Sequence, residues 1–307
     1  MTERGRANAA LAAVCVAWGT TYLAIKTGVR EVPPVLFNGS RFFAAGVLLT
    51  IFVLAAGRRR PRPAELWPLA VAAVLMMAVA NSVLSWALQR VPSGVASLLV
   101  ALVPLWMVVL ATLYGERVSP RGWAGVAVGL AGLVVLLWPE LRAARSRPGL
   151  LAGALSLCGS TGVWAWASLY AKRHPVRADH FAALAFEKIV GGAAAVVFAL
   201  ALGERAPAHP SRAAAGAFVY LIVVGSMIGY SCYLYALARL PTERVAMYAY
   251  ANPVIAVTLG ALFGGERLGP HELAGAGVVL TGVYLASTGA RAAPRAEAER
   301  GAVESAL

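Results

Sequence analysis

Two stretches of this chain, Leu69–Trp86 and Gly94–Tyr114, run for 18 and 21 residues without an acidic or basic side chain. At 1.5 Å rise per residue, such runs are long enough to cross a hydrocarbon layer of about 30 Å as helices. In lipid every span must satisfy its own backbone N–H and C=O groups, which leaves helix as the economical structure. Eight further apolar segments accompany these two. The ten lie at roughly 8–28, 35–57, 67–89, 94–114, 121–138, 149–171, 180–202, 213–236, 243–264 and 271–289, separated by prolines and charges such as Pro33-Pro34, Arg58–Pro63 and Arg173–Arg177. Only 13% of the residues are charged, where soluble domains carry about 25%. The expected fold is an all-α membrane protein with ten transmembrane helices.

The net charge of +13 would point to nucleic acid in a soluble protein. Here Lys and Arg stand mainly at the ends of apolar runs, where they act as topology signals and contact lipid headgroups. A bilayer is therefore the expected surroundings, and no nucleic-acid partner is expected. Arg58, Arg59, Arg60, Arg62, Lys172, Arg173, Arg177 and Arg239 fall on the side that holds both chain ends, which places both termini in the cytoplasm. The cluster at 142–147 is the one loop that opposes this orientation. Cys15, Cys158 and Cys232 lie inside apolar runs without a CxxC or histidine partner, so neither a disulfide nor a metal site is expected. There is no GxxxxGK[ST] motif, and His271-Glu272 lacks the second histidine of HExxH. Neither an enzyme nor a cofactor is expected.

One pattern occurs twice. WALQRVPSGVASLLVALVPLWMVVLATLYGER at 86–117 is matched by YALARLPTERVAMYAYANPVIAVTLGALFGGER at 235–267. Pro92 pairs with Pro241 and Pro104 with Pro253, each 149 residues apart. Trp18–Lys26 pairs in the same way with Trp164–Lys172, and Arg41 falls near Lys188. Five spans per copy is an odd number, so the second copy must enter the membrane upside down relative to the first. That is the inverted repeat on which many secondary transporters are built.

The chain resembles the EamA-like family of the drug/metabolite transporter superfamily. The resemblance is carried by WGTTYLAIK at 18–26, PPVLFNGSRFFAAG at 33–46, GWAGVAVGLAGLVVL at 122–136, the Gly-Glu-Arg that closes the span after each of Pro104 and Pro253, and the second-half counterparts of these motifs. It implies two five-helix repeats, at 1–139 and 149–290, around a central cavity, followed by a cytoplasmic tail at 291–307. It also implies alternating access in an inner (plasma) membrane and movement of a small organic metabolite such as an amino acid, more often outward than inward. A multidrug or lipophilic-cation exporter of the same fold is the alternative, and a non-transporting receptor or scaffold the remoter one. The working unit is a monomer or a homodimer.

Polar groups at mid-membrane depth are costly and mark candidate function. Arg41 lies about six residues into the second span, and Glu187 and Lys188 about seven into the seventh. They are candidates for binding an anion or zwitterion, with Glu187 the candidate proton-coupling carboxylate. A structural ion pair of Glu187 with Arg41 is the competing role. Asn38, Asn81 and Asn252 are buried amides suited to substrate contact or to bridging helices. Trp18, Tyr22, Trp86, Trp164, Tyr230 and Tyr248 fall deep in spans or inside the repeated motifs and are candidate cavity walls. Trp67, Trp123 and Trp138 belong to interfacial belts. Pro104 and Pro253 are candidate hinges or kinks. Gly125, Gly129, Gly132, Gly275, Gly277 and Gly282 mark the fifth and tenth spans as candidates for peripheral or dimer contacts.

Overall fold

The apolar runs whose residues are described are helical, and the polar breaks between them set the helix ends. The structure is a computed structural model. It describes residues 2–114, 119–143, 148–240 and 269–289, together with 245, 248, 249, 252, 255, 259, 262 and 263. The helices are α1 (Glu3–Gly28), α2 (Pro34–Ala55), α3 (Pro63–Ala87), α4 (Ser93–Val100), α5 (Val103–Leu113), α6 (Pro120–Ala143), α7 (Pro148–Arg173), α8 (His180–Ala201), α9 (Arg212–Arg239) and α10 (Pro270–Gly289). Among the described residues there is no strand, and six helices, α1, α2, α3, α7, α8 and α9, are long and apolar enough to cross a membrane. Leu54, Val197, Leu200 and Leu202 are each more than half exposed on the outside of the bundle, as a lipid-facing surface requires. Trp67, Trp123 and Trp138 are exposed near helix ends, consistent with an interfacial belt.

Helix ends are closed by recognisable caps. The Asp179 side chain accepts the N–H of Phe181 at 2.9 Å, and Ser211 Oγ accepts that of Ala214 at 3.1 Å. Gly57 and Gly203, at φ +60° and +77°, end α2 and α8 in the left-handed region open to glycine. Each is followed by a Schellman pair: Arg58 N donates to Val53 O at 3.0 Å, and Glu204 N to Ala199 O at 2.9 Å.

Close backbone approach joins the helices. α2 lies along α8, and α6 along α10. At the first contact, a Cβ on Gly192 would sit 2.4 Å from Phe43 N, and one on Gly39 would sit 2.7 Å from Val196 N. At the second, a Cβ on Gly282 would meet Gly129 N at 2.2 Å. Gly129, Gly132 and Gly282 are thus used in packing within the chain, whereas Gly277 faces open space. Small residues permit this approach where apolar side chains have no hydrophobic reason to leave lipid.

Two further details depart from the sequence reading. The run at 94–114 is not one kinked helix. It breaks at 101–102, and Pro104 lies in the first turn of α5, where its missing N–H leaves no bond unmade. Pro253, the matching hinge candidate, lies outside the described residues, as does the tail at 291–307. Within α3 and α9 the winding widens to π-helix over Val74–Ala80 and Leu221–Gly229. No sequence motif announced either segment.

Candidate functional site

The two π-helical segments end where the site begins, at Asn81 and Tyr230. π turns inside α-helices are frequent at functional sites. Carbonyls of both segments accept side-chain donors here. Met76 O accepts from Asn81 Nδ2 at 2.8 Å, Met77 O from Asn38 Nδ2 at 2.8 Å, and Gly225 O from Trp18 Nε1 at 3.3 Å. The amides and the indole are thereby fixed by backbone that regular helix would have kept to itself.

Arg41 is the hub of this arrangement. It is 2% exposed, and its donors reach three helices. Nη1 donates to Ser226 Oγ at 3.1 Å, and Nη2 to Asn38 Oδ1 at 3.0 Å and Asn81 Oδ1 at 3.1 Å. Nε is buried without a hydrogen-bond partner. Asn81 Nδ2 also donates to the Tyr230 hydroxyl at 2.7 Å, tying α3 to α9. Every acceptor around Arg41 is neutral, and none of the described residues offers it a carboxylate.

Lys188 is fully buried beside this network. Its Nζ lies 3.0 Å from the Tyr230 ring centroid and 4.2 Å from that of Phe42, with no hydrogen-bond partner. The rings supply a cation–π environment in place of a counter-ion. Glu187 points elsewhere, as adjacent helical residues do. The considered Glu187–Arg41 ion pair is not formed.

Two cavities lie at different depths. The central one, of about 70 Å³, is lined by Trp18, Tyr22, Arg41, Asn81, Trp164, Tyr230, Tyr248 and Asn252 among others. A water occupies about 30 Å³ of liquid, so this space suits a few waters and a larger solute must part the walls. The second, of about 640 Å³, opens at the end of the bundle where α1 begins and is lined by Glu3, His180, Glu187 and Arg239 among others. Along α9 the order is Gly225 and Tyr230 at the central cavity, then Tyr233, then Leu234 to Arg239 at the second. The division between them is aromatic. The Trp18 ring meets Trp164 at 5.6 Å, Tyr230 at 5.3 Å, Tyr233 at 4.9 Å and Tyr248 at 5.2 Å between centroids.

Of the sequence candidates, Trp18, Tyr22, Arg41, Asn81, Trp164, Tyr230, Tyr248 and Asn252 converge on one cavity. Asn38 stands behind Arg41 and bridges α2 to α3. Glu187 reaches the second cavity, and Lys188 lines neither. Trp86 lies near the end of α3 outside the central lining, with the Arg90 guanidinium 3.8 Å above its ring, in the manner of an interfacial aromatic. Sequence reasoning missed Thr21, Ser160, Thr161 and Ser226. The first three were legible, because 18, 21, 22, 25 and 157, 160, 161, 164 are each one helical face. Ser226 lies in a π segment, where that spacing fails.

Comparison with known proteins matches the chain twice, at residues 6–138 and 151–288, to the model of the EamA-like transporter family. An Escherichia coli (strain K12) protein named as an uncharacterized inner membrane transporter, YedA, is 34% identical over 91% of this chain and 90% of its own length. A Streptantibioticus cattleyicolor protein named as a probable terminal-alkyne amino-acid exporter is 28% identical over 90% of this chain and 91% of its own. A solved crystal structure shares the fold, with a TM-score of 0.68 at 24% identity, over 94% of this chain and 99% of the other.

Proposed function

The chain belongs to the EamA-like transporter family, and we propose that within it this protein is a secondary carrier exporting an amino acid or related small metabolite by alternating access. The observation that carries the proposal is the pair of cavities at two depths, divided by one aromatic cluster. A carrier needs a site that meets one side at a time, and a single removable barrier between a central site and a vestibule meets that need. Export and an inner-membrane location are supported by the names of the relatives.

The frame of the proposal is ten helices in two inverted repeats, 1–139 and 149–290, with both termini and the tail at 291–307 in the cytoplasm. Several features support it. α1 and α7 are both 26 residues long, and α2 and α8 both 22. α1 packs against the π segment of α9, and α7 against that of α3. The second cavity then faces the cytoplasm and brings water toward Glu187, the candidate proton-coupling carboxylate. The aromatic walls favour the lipophilic-cation reading, but the Arg41 guanidinium opposes it, since a like charge at the site repels a cation.

The test is counterflow of labelled amino acids in liposomes holding the purified chain, with and without a pH gradient. Counterflow that follows the gradient in the parent and loses that dependence in Glu187→Gln is the expected result. Solute binding without any counterflow would replace the carrier with a receptor.

A further inference from the structure

The electrical balance of the central cavity is incomplete. Arg41 is buried at mid-helix depth and lines the cavity, its acceptors are three neutral oxygens, and its Nε–H is unused. Lys188, a second buried cation, is one helix away, packed on the rings of Phe42 and Tyr230, also without a hydrogen-bonding partner. Among the described residues, no acidic side chain lines the central cavity. The one acidic residue beside Lys188 in the chain, Glu187, lines the other cavity.

A buried cation held only by neutral dipoles is expensive unless a counter-charge arrives. Its hydrogen bonds to the Asn38, Asn81 and Ser226 oxygens hold the guanidinium in one orientation, so it is preorganised for an anion rather than free to fold away. Beyond Arg41 the described lining is uncharged: apolar side chains such as Ile25, Leu84, Val100 and Leu157, the aromatic rings, and the neutral polar groups of Thr21, Ser160, Thr161 and Asn252.

We propose that the central cavity takes a carboxylate-bearing solute with an apolar or aromatic body, its carboxylate bound at the Arg41 guanidinium and its body against the aromatic wall. Guanidinium is suited to this because its planar donors match carboxylate geometry. This deepens the carrier reading and rests on it for the movement of the solute, but not for its binding. The arrangement also orders solutes: an acid should be preferred to its ester or amide, and either of these to the corresponding amine.

The experiment uses the purified full chain in detergent with three series: phenylalanine, its methyl ester and phenethylamine; leucine, its methyl ester and isopentylamine; and phenylpropionate with its amide. Binding is read as a thermal shift and as a change in tryptophan emission, since Trp18 and Trp164 both line the cavity. At least one acid should bind tenfold or more tighter than its ester or amide. Arg41→Gln should bring that acid down to the level of its ester or amide, and Arg41→Lys should retain part of the preference. An acid preference that survives Arg41→Gln, an ester that equals its acid, or a panel in which no acid binds would each overturn the proposal. Should Arg41→Gln fail to fold, the acid-against-ester comparison in the parent decides alone. Selective acid binding without counterflow sinks the carrier reading and leaves this site standing; counterflow of ester as fast as acid does the reverse.

Discussion

Asn38→Leu isolates the buried amide network that holds Arg41. Asn38 is fully buried at the crossing of α2 and α3. Its replacement removes three hydrogen bonds: to Met77 O at 2.8 Å, to Ser82 Oγ at 3.0 Å, and from Arg41 Nη2 at 3.0 Å. Side-chain hydrogen bonds between membrane helices average about 0.6 kcal/mol and reach about 1.7. The two that cross from α2 to α3 sum at the mean to roughly 1 kcal/mol, and the third, from Arg41 on the same helix, has a charged donor and adds about 1.5 kcal/mol. The expected loss is therefore about 2–3 kcal/mol. Leucine has the branched shape of asparagine and a larger volume, so none of the loss is a cavity cost and any overpacking adds to it. Asn38→Asp is the control. It keeps an acceptor for Arg41 and gives up both donated bonds, but gains an ion pair, so it should lose less than the leucine variant while occupying the guanidinium proposed for the solute. The assay is unfolding in mixed micelles with increasing dodecyl sulfate, followed by helical circular dichroism. A leucine variant within about 0.5 kcal/mol of the parent would refute the claim that this network holds α2 to α3.

Gly192→Leu should cost at least about 3 kcal/mol or abolish the folded species in gel filtration, because its Cβ would lie 2.4 Å from a backbone nitrogen that cannot give way. Gly216→Ala, with nothing within 4 Å, should be neutral or stabilise by up to about 1 kcal/mol. Trp18→Ala should destabilise by about 3–5 kcal/mol and join the two cavities, which is checked by its unfolding midpoint and by solute leak from liposomes. At the bundle end away from the chain start, Glu31 accepts Ser211 N at 2.8 Å and Ser211 Oγ at 2.6 Å, and these bonds hold its carboxyl below the ordinary 4.5. A depressed value means stability that is present above the ordinary carboxylate range and lost as pH falls through the folded one. The stability difference between the parent and Glu31→Gln should accordingly shrink below about pH 4.5, and parallel pH profiles would count against the contact.

The helices were legible in sequence wherever the determinant was length and apolarity. The runs 8–28, 35–57 and 180–202 appear within a few residues as Glu3–Gly28, Pro34–Ala55 and His180–Ala201. Membrane depth identified Arg41 and Asn81, because a polar group there must be held by something. What sequence did not disclose is direction. Glu187 and Lys188 are adjacent, yet one meets a wide cavity and the other two aromatic rings. Trp86 carries the same motif evidence as Trp164, and only the position of Arg90 separates interface from wall. The π segments were invisible because they arise from tertiary contacts, in which Asn38 and Trp18 reach in from other helices to claim carbonyls.

Those same contacts decide where the barrier of the proposed carrier should sit. At the end bearing the chain start, the bundle is tied by Arg239 to Glu3 at 3.0 Å, by Arg58 to Asp179 at 3.4 Å, and by Arg177 N on the Glu65 carboxylate. At the other end, Leu36 N donates to Glu204 Oε2 at 2.7 Å, and Glu31 holds Ser211. The two ion pairs are largely exposed, and such pairs contribute about 0–1 kcal/mol each, so parting them is cheap. The aromatic cluster is different. Trp18 alone makes four ring contacts, each adding about 0.5–1.5 kcal/mol beyond its buried area, and its indole N–H is bound to Gly225 O. In the proposed cycle the end ties should therefore tune which side opens, while the rate of opening is set at Trp18. Substitutions at Arg58 or Arg239 should shift the ratio of the two open states by less than tenfold, whereas Trp18→Phe, which keeps a ring but loses the N–H, should change the transport rate itself. A Trp18→Phe carrier with the parent's counterflow rate would move the barrier elsewhere.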